Sequence, residues 1–327
     1  MIGECCGTPG HTFLFLDVSS FILLLMKNIR FDILSLFALV LLLSACGSDD
    51  DGLGGAAVPN LNKNVPTAGM PKEVTRLEFP KVKGGTSVVL VHHANVPNSQ
   101  ESVNYALEWD GEKKANRWTC YQMYASNRVS NTSRYESDDN QYPQDPDLPQ
   151  AYRWETDPFR RSGYDHGHLC PSADRLYSFE ANYQTFFLTN MSPQLNAFNA
   201  GVWENMESQL RKWITANSSR NDTLYVCKGG TIDKADQVLT TLANGLIVPK
   251  YFFCALLMKN SGGYKALGFW FEHKANRDEN LGSYVVNIDQ LESLTGLDFF
   301  CNLPDGTENH VESLPVENVK RAWGLEK

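Results

Sequence analysis

The chain of 327 residues contains only 8 cysteines, too few for a disulfide-stapled scaffold, and none stands in the Cys-x-x-Cys spacing of a zinc ribbon. A basic excess is also missing. Lys and Arg number 29 against 38 Asp and Glu, for a formal charge of -9, so attraction of the whole molecule to a polyanion is excluded. Any nucleic-acid site must be a local basic patch. The two N-terminal apolar stretches, Phe13 to Leu25 and Ile33 to Leu43, fall short of the roughly 20 residues of a comfortable membrane span. After residue 60 there is no internal repeat and no low-complexity tract, which excludes a solenoid.

What is present begins with a leader. Met26, Lys27 and Arg30 form a positive start, Ile33 to Leu43 an apolar middle, and Leu43-Ser44-Ala45-Cys46 a small-residue cleavage site ending in cysteine. This pattern looks like a lipoprotein signal peptide starting at Met26, with residues 1–45 as leader and Cys46 as the lipidated residue. The expected location is a bacterial outer membrane, held through the lipid. Gly47-Ser48-Asp49-Asp50-Asp51 resembles the acidic export signal of surface lipoproteins, or is simply a solvated tether. Gly, Asn, Pro and Ala without hydrophobic period extend this tether to about residue 80, and residues 81–327 read as the folded domain. The oligomeric state is left open.

With 42% hydrophobic residues the chain can bury a sizeable core. Apolar runs at Val88–Val91, Tyr105–Trp109, Trp118–Tyr124, Phe186–Thr189, Leu224–Cys227, Tyr251–Met258 and Ala266–Phe271 read as strands. Helical spacing appears at Ala200–Ala216, where Val202, Met206, Leu210 and Trp213 recur, at Ile288–Leu294 before Thr295-Gly296, and at Val316–Trp323. Strands and helices do not alternate regularly. The expected class is therefore α+β, with a mainly antiparallel central sheet and flanking helices, rather than a doubly wound parallel sheet. Between Ser126 and Arg161 lies a long polar stretch rich in Asp, Asn, Pro and Tyr, and a surface excursion of that length tends to be functional.

Chemistry concentrates in Gly163-Tyr164-Asp165-His166-Gly167-His168-Leu169-Cys170-Pro171-Ser172-Ala173-Asp174-Arg175. A second block follows: Thr189-Asn190-Met191-Ser192-Pro193-Gln194, then Asn196, then Asn199-Ala200-Gly201-Val202-Trp203 and Glu207. Together they resemble, in order and separation, the Asp-Arg-Gly-His and Asn-x-x-Pro-Gln…Asn-x-Gly-x-Trp…Glu signatures of the DNA/RNA non-specific endonucleases, the ββα-metal family. Weaker similarity extends over about residues 85 to 325.

The resemblance implies hydrolysis of phosphodiester bonds in DNA and RNA with Mg²⁺, or another divalent cation such as Mn²⁺. It makes His168 the general base and Asn199 the metal-binding amide, with Glu207 orienting metal-bound waters and Arg211 stabilising phosphate charge. Asp165, His166 and Asn190 are expected to contact substrate or support these groups. The residue types suit the task, because a neutral imidazole accepts a proton near working pH and Mg²⁺ needs few side-chain oxygens. Helical spacing puts Asn199, Trp203, Glu207 and Arg211 along one edge beside the apolar stripe. One departure stands out. His166 occupies the place of an arginine that contacts phosphate in the family, and the family's upstream phosphate-binding arginine has no assigned position, with Arg134, Arg153, Arg160 and Arg161 as candidates.

Other readings of the same residues remain. Asn199 is also a favoured helix-capping residue, Glu207 and Arg211 an ordinary i,i+4 pair, and Trp203 more naturally packing than base-stacking. On an extended strand His166, His168 and Cys170 face one side and would form a zinc-binding surface protein, though without a fourth ligand. A catalytically inactive nuclease-like surface binding module is the remaining alternative. His92-His93 reads as structural, and Cys120, Cys227, Cys254 and Cys301 as buried small hydrophobes.

Overall fold

The computed structural model describes residues 58–326; the leader, Cys46 and the first part of the tether lie outside the described residues. A seven-stranded antiparallel sheet forms the centre. Its order is β1 (Ser87–His93), β2 (Val103–Asp110), β3 (Ala115–Met123), β6 (Thr223–Gly230), β9 (Tyr251–Asn260), β10 (Gly263–Glu272) and β11 (Val285–Val286). Two small ribbons lie outside it, β4 (Asp165–His168) with β5 (Met191–Gln194), and β7 (Val238–Thr241) with β8 (Ile247–Pro249). The helices are α1 (Phe179–Gln184), α2 (Glu204–Trp213), α3 (Ile288–Thr295), α4 (Asp305–Glu312) and α5 (Val316–Trp323). The expected α+β class with a mainly antiparallel sheet is observed.

Both faces of the sheet are buried, which explains why its central strands read as unbroken apolar runs rather than alternating ones. Along β9, Phe252, Cys254, Leu256 and Met258 join one core with Val202, Met206 and Leu210 from the α2 region and Val319 and Trp323 from α5. Phe253, Ala255 and Leu257 join the other core, against Ile288 and Leu291 of α3 and Val311 of α4. The α3 helix ends where the sequence signals it, at Gly296, whose φ of 79° is a left-handed cap open to glycine at no steric cost. Among the described residues, Cys120, Cys170, Cys227, Cys254 and Cys301 are free and buried. Among the described residues no helix is long and apolar enough to cross a membrane.

Three expectations need correction. Phe186–Thr189 is not a strand: it is the buried turn between α1 and β5, and its apolar run reflects aromatic packing rather than a ladder. The helix expected from Ala200 begins only at Glu204, because Gly201, at φ -114° and ψ -116°, interrupts a wide turn over Asn199–Trp203. The domain also begins before residue 81. Val74 and Phe79 are fully buried in the second core, and Asn60, Asn62 and Asn64 bond to Leu303, to Asp298 and Glu308, and to Val74 and Pro80. That segment docks through widely spaced apolar residues together with asparagine amides, so its composition reads as linker although it is part of the fold.

Truncating Phe79 tests this boundary. Phe79→Ala should lower stability to chemical denaturation by about 3–5 kcal/mol, the usual cost of emptying a buried aromatic site. An unchanged midpoint would mean that the segment is a tether after all.

Candidate active site

The site is built on β4, β5 and the turn leading into α2. In the β4–β5 ribbon Asp165 pairs with Gln194, Gly167 with Ser192 and His168 with Met191. Glycine is required at 167, since a Cβ there would lie 2.3 Å from Cδ of Gln194. Beyond His168 the chain is clamped by Asn190. Its Oδ1 accepts the Cys170 N–H at 2.9 Å, and its Nδ2 donates to the carbonyls of Cys170 at 2.9 Å and Thr185 at 2.8 Å. Buried main-chain groups left without partners are costly, so this side chain holds the histidine's exit loop in one path.

His168 lines an open cleft of about 250 Å³ together with Arg134, Asn199, Glu204, Glu207 and Arg211. Its ring packs edge-on against Phe186, 4.9 Å between centroids, and its carbonyl accepts from Nε1 of Trp203 at 3.3 Å. Nε2 is buried with no hydrogen-bond partner. Burial first, then the charges of Arg134 and His166, pull the imidazole down to about 3, so the ring is neutral with a nitrogen lone pair available.

Asn199 does not N-cap the helix that follows it. Its Nδ2 donates to Oδ2 of Asp165 at 3.1 Å, and Asn196 donates to the same oxygen at 3.0 Å. With its nitrogen committed to a carboxylate, the amide leaves its carbonyl oxygen as the end free for a hard cation. Glu207 and Arg211 do not pair with each other either. Glu207 receives Nζ of the fully buried Lys228 at 2.7 Å, while Arg211 reaches Oδ1 of buried Asp174 at 3.4 Å and Oγ of Ser208 at 2.9 Å. Burial pushes the Glu207 carboxyl upward, and the Lys228 charge and hydrogen bond oppose it. Asp174 also accepts from Tyr121 at 3.1 Å and Arg128 at 3.5 Å, which makes it the anchor of the cleft's arginine side. Trp203 is buried packing, as expected.

His166 is not among the residues lining the cleft. Its ring is stacked on Tyr142 at 3.6 Å and Phe159 at 4.5 Å, and Nε2 meets Asp157 at 2.9 Å. Burial raises the Asp157 carboxyl, but the bond and charge of His166 outweigh it and the net shift is downward. Of the two roles expected for His166, substrate contact or support, its surroundings fit support, and the cleft's other arginine is Arg134, seated over Phe186 at 4.7 Å. Arg153, by contrast, is spent on the carbonyls of Leu148 and Pro146. No local pattern marks Lys228 or Glu204 as site residues, and Asp174, though inside the first motif block, has no role that the sequence assigns.

The zinc reading finds no geometric support. Among the described residues, the sets of His, Cys, Asp and Glu close enough to share an ion are His92, Asp145 and Asp147, and Asp289, Glu292 and Glu312. His166, His168 and Cys170 are not such a set, and burial pushes the Cys170 thiol up to about 12, far from a thiolate. His92 is structural, buried beside Asp145 with its ring against Tyr105 and Phe187.

Known proteins resemble this chain in sequence and in fold. The profile of the DNA/RNA non-specific endonuclease family matches residues 86–306. A nuclease of Nostoc sp. is 30% identical over 221 residues, covering 64% of this chain and 75% of its own. Human mitochondrial endonuclease G is 30% identical over 217 residues, covering 63% and 69% respectively. A crystal structure of an EndoG/EndoGI complex superposes with a TM-score of 0.53 at 22% identity, over 65% of this chain and 86% of that one, a likeness of fold.

The buried Lys228–Glu207 pair gives a direct test of how the site is held. Lys228→Met should cost about 3–5 kcal/mol, because it leaves a buried carboxylate without its cation. Lys228→Met combined with Glu207→Gln should recover most of that loss in the same denaturation assay. Additive losses would show that the two side chains do not depend on each other.

Proposed function

The chain belongs to the DNA/RNA non-specific endonuclease family, a family of nucleic-acid-hydrolysing enzymes, and we propose that it is a divalent-metal-dependent endonuclease cutting DNA and RNA without regard to sugar. The observation that carries this reading is the neutral, unpartnered Nε2 of His168 in a cleft shared with Asn199, Glu207 and two arginines. Asn199 would hold the ion, Mg²⁺ or Mn²⁺, which supplies charge neutralisation at the phosphoryl and leaving oxygens.

The chain's own groups do the rest. Nε2 of His168 takes the proton from the attacking water as its oxygen bonds to phosphorus and the bond to the leaving oxygen breaks. Arg134 and Arg211 offset the growing negative charge on the phosphoryl oxygens, and Asp174 keeps Arg211 directed. Glu207, steadied by Lys228, accepts hydrogen bonds from waters in the cleft and fixes their orientation. Contacts of this kind address phosphate, which carries no base information and is common to both sugars. The inactive-module reading drew on the His166 change alone, and the cleft retains two arginines without it.

Plasmid and RNA cleavage should therefore fall by roughly 10²- to 10⁴-fold in His168→Ala, with folding and nucleic-acid binding retained. Asn199→Ala should lose cleavage too, and excess Mg²⁺ should restore part of it in that variant alone. Near-normal rates for His168→Ala, or cutting confined to RNA or to one defined sequence, would defeat the proposal.

The same proposal includes a lipid anchor at Cys46 that tethers the enzyme to the bacterial outer membrane. Cys46→Ala should release the protein from the membrane fraction, since a single lipidated residue carries the attachment. Retention of that variant would point to an N-terminal apolar stretch as the anchor instead.

A further inference from the structure

A second cluster of charged groups lies on the face of the sheet opposite the cleft. Asp289 and Glu292 from α3 and Glu312 from the end of α4 bring ligand oxygens within 4.8 Å of one another. Glu312 is buried, 4% exposed, and its Oε1 has no hydrogen-bond partner. An orphaned buried carboxylate oxygen is expensive, and an apolar side chain would fill the position at lower cost. Its place at the C-terminal end of α4 adds to the cost, because the helix dipole is negative there. Burial first, then Glu292, Glu308, Asp289 and Asp298, push its carboxyl up to about 10, and burial pushes that of Glu292 up to about 7. Each leading influence on Glu312 acts in the same direction.

We infer that Asp289, Glu292 and Glu312 form a binding site for a hard divalent cation of the Ca²⁺ class, separate from the cleft, that pins α3 to α4. Oxygens around one Ca²⁺ sit about 2.3–2.6 Å from it, so two of them lie at most about 5 Å apart, the spread found in this trio. Mg²⁺ ordinarily takes one or two carboxylates and keeps its waters, whereas three carboxylates from two helices suit the larger, more adaptable ion. Glu292 is already fixed, with Oε1 accepting the Phe299 N–H at 2.7 Å. Asn62 bridges Glu308 at 2.7 Å and Asp298 at 3.2 Å, so the segment that enters the domain is tied to the same cluster. Binding there stabilises the α3–α4 layer and its N-terminal strap, and takes no part in hydrolysis.

The test is thermal unfolding of the full chain in CaCl₂, with no other divalent ion present. The wild type should gain roughly 3 °C at about ten times the dissociation constant. The gain should persist in Asn199→Ala, which removes the ligand proposed for the cleft, and vanish in Glu312→Gln. Asp289→Asn, at an exposed position where folding is not at stake, should lose it as well. Calorimetry on Asn199→Ala should count one Ca²⁺ per chain, and none once Asp289→Asn is added. A gain that survives both cluster substitutions, or that Asn199→Ala alone abolishes, overturns the inference. So does a wild type indifferent to calcium in which Glu312→Gln merely raises the calcium-free midpoint, since the trio then shares protons rather than an ion.

Discussion

The pairing of Lys228 with Glu207 joins the site helix α2 to the central sheet. Lys228 rises from β6 in the middle of the sheet, fully buried, with Trp203 at 5.1 Å and Tyr121 at 5.6 Å from its ammonium. Glu207 comes from α2 and lines the cleft. A charge buried on both sides is tolerated only while each finds the other, so the site helix has one seat on the sheet and one rotation about its axis. The position of Arg211 one turn later follows from that seat, whereas Asn199, eight residues earlier, lies before the break at Gly201 and is held by Asp165.

Around this pair the site is held by short, directional devices. Gly167 lets β4 lie against Gln194 where any Cβ would collide, and Asn190 closes the loop after His168 by satisfying both polar groups of Cys170. Asp165 holds the amide of Asn199, and Asp174 that side of the cleft where Arg211 lies. Asn199, Glu207 and Arg211 are each therefore backed by a second side chain that does not itself line the cleft. Preorganisation of this kind means that a polar group need not reorient as charge develops.

Charge is distributed on the same logic. The chain is acidic overall, yet Arg134 and Arg211 line the cleft and Arg128 backs it through Asp174. A polyanion is thus attracted locally while the rest of the surface repels it. The acidic trio at the α3–α4 layer lies on the opposite face, where it does not offset those arginines.

Much of this was legible in sequence because it depends on near neighbours along the chain. The apolar runs of β2, β9 and β10, the Gly296 stop of α3 and the two spaced motif blocks are local patterns, and they carried the fold class, the family and His168, Asn199, Glu207 and Arg211 as candidates. Local pattern misled where apolar residues served packing without a ladder, at Phe186–Thr189, and where widely spaced apolar residues were supplemented by asparagine amides, at residues 58–80. Tertiary structure alone decided the rest. It seated Arg134 rather than Arg153 in the cleft, turned His166 onto Asp157 and Tyr142, and brought Lys228 to Glu207 and Asp174 to Arg211 across 21 and 37 residues of chain. Spacing along a strand or helix follows from backbone geometry, but contacts at that separation exist only once sheet and helices have packed, and no periodicity encodes them.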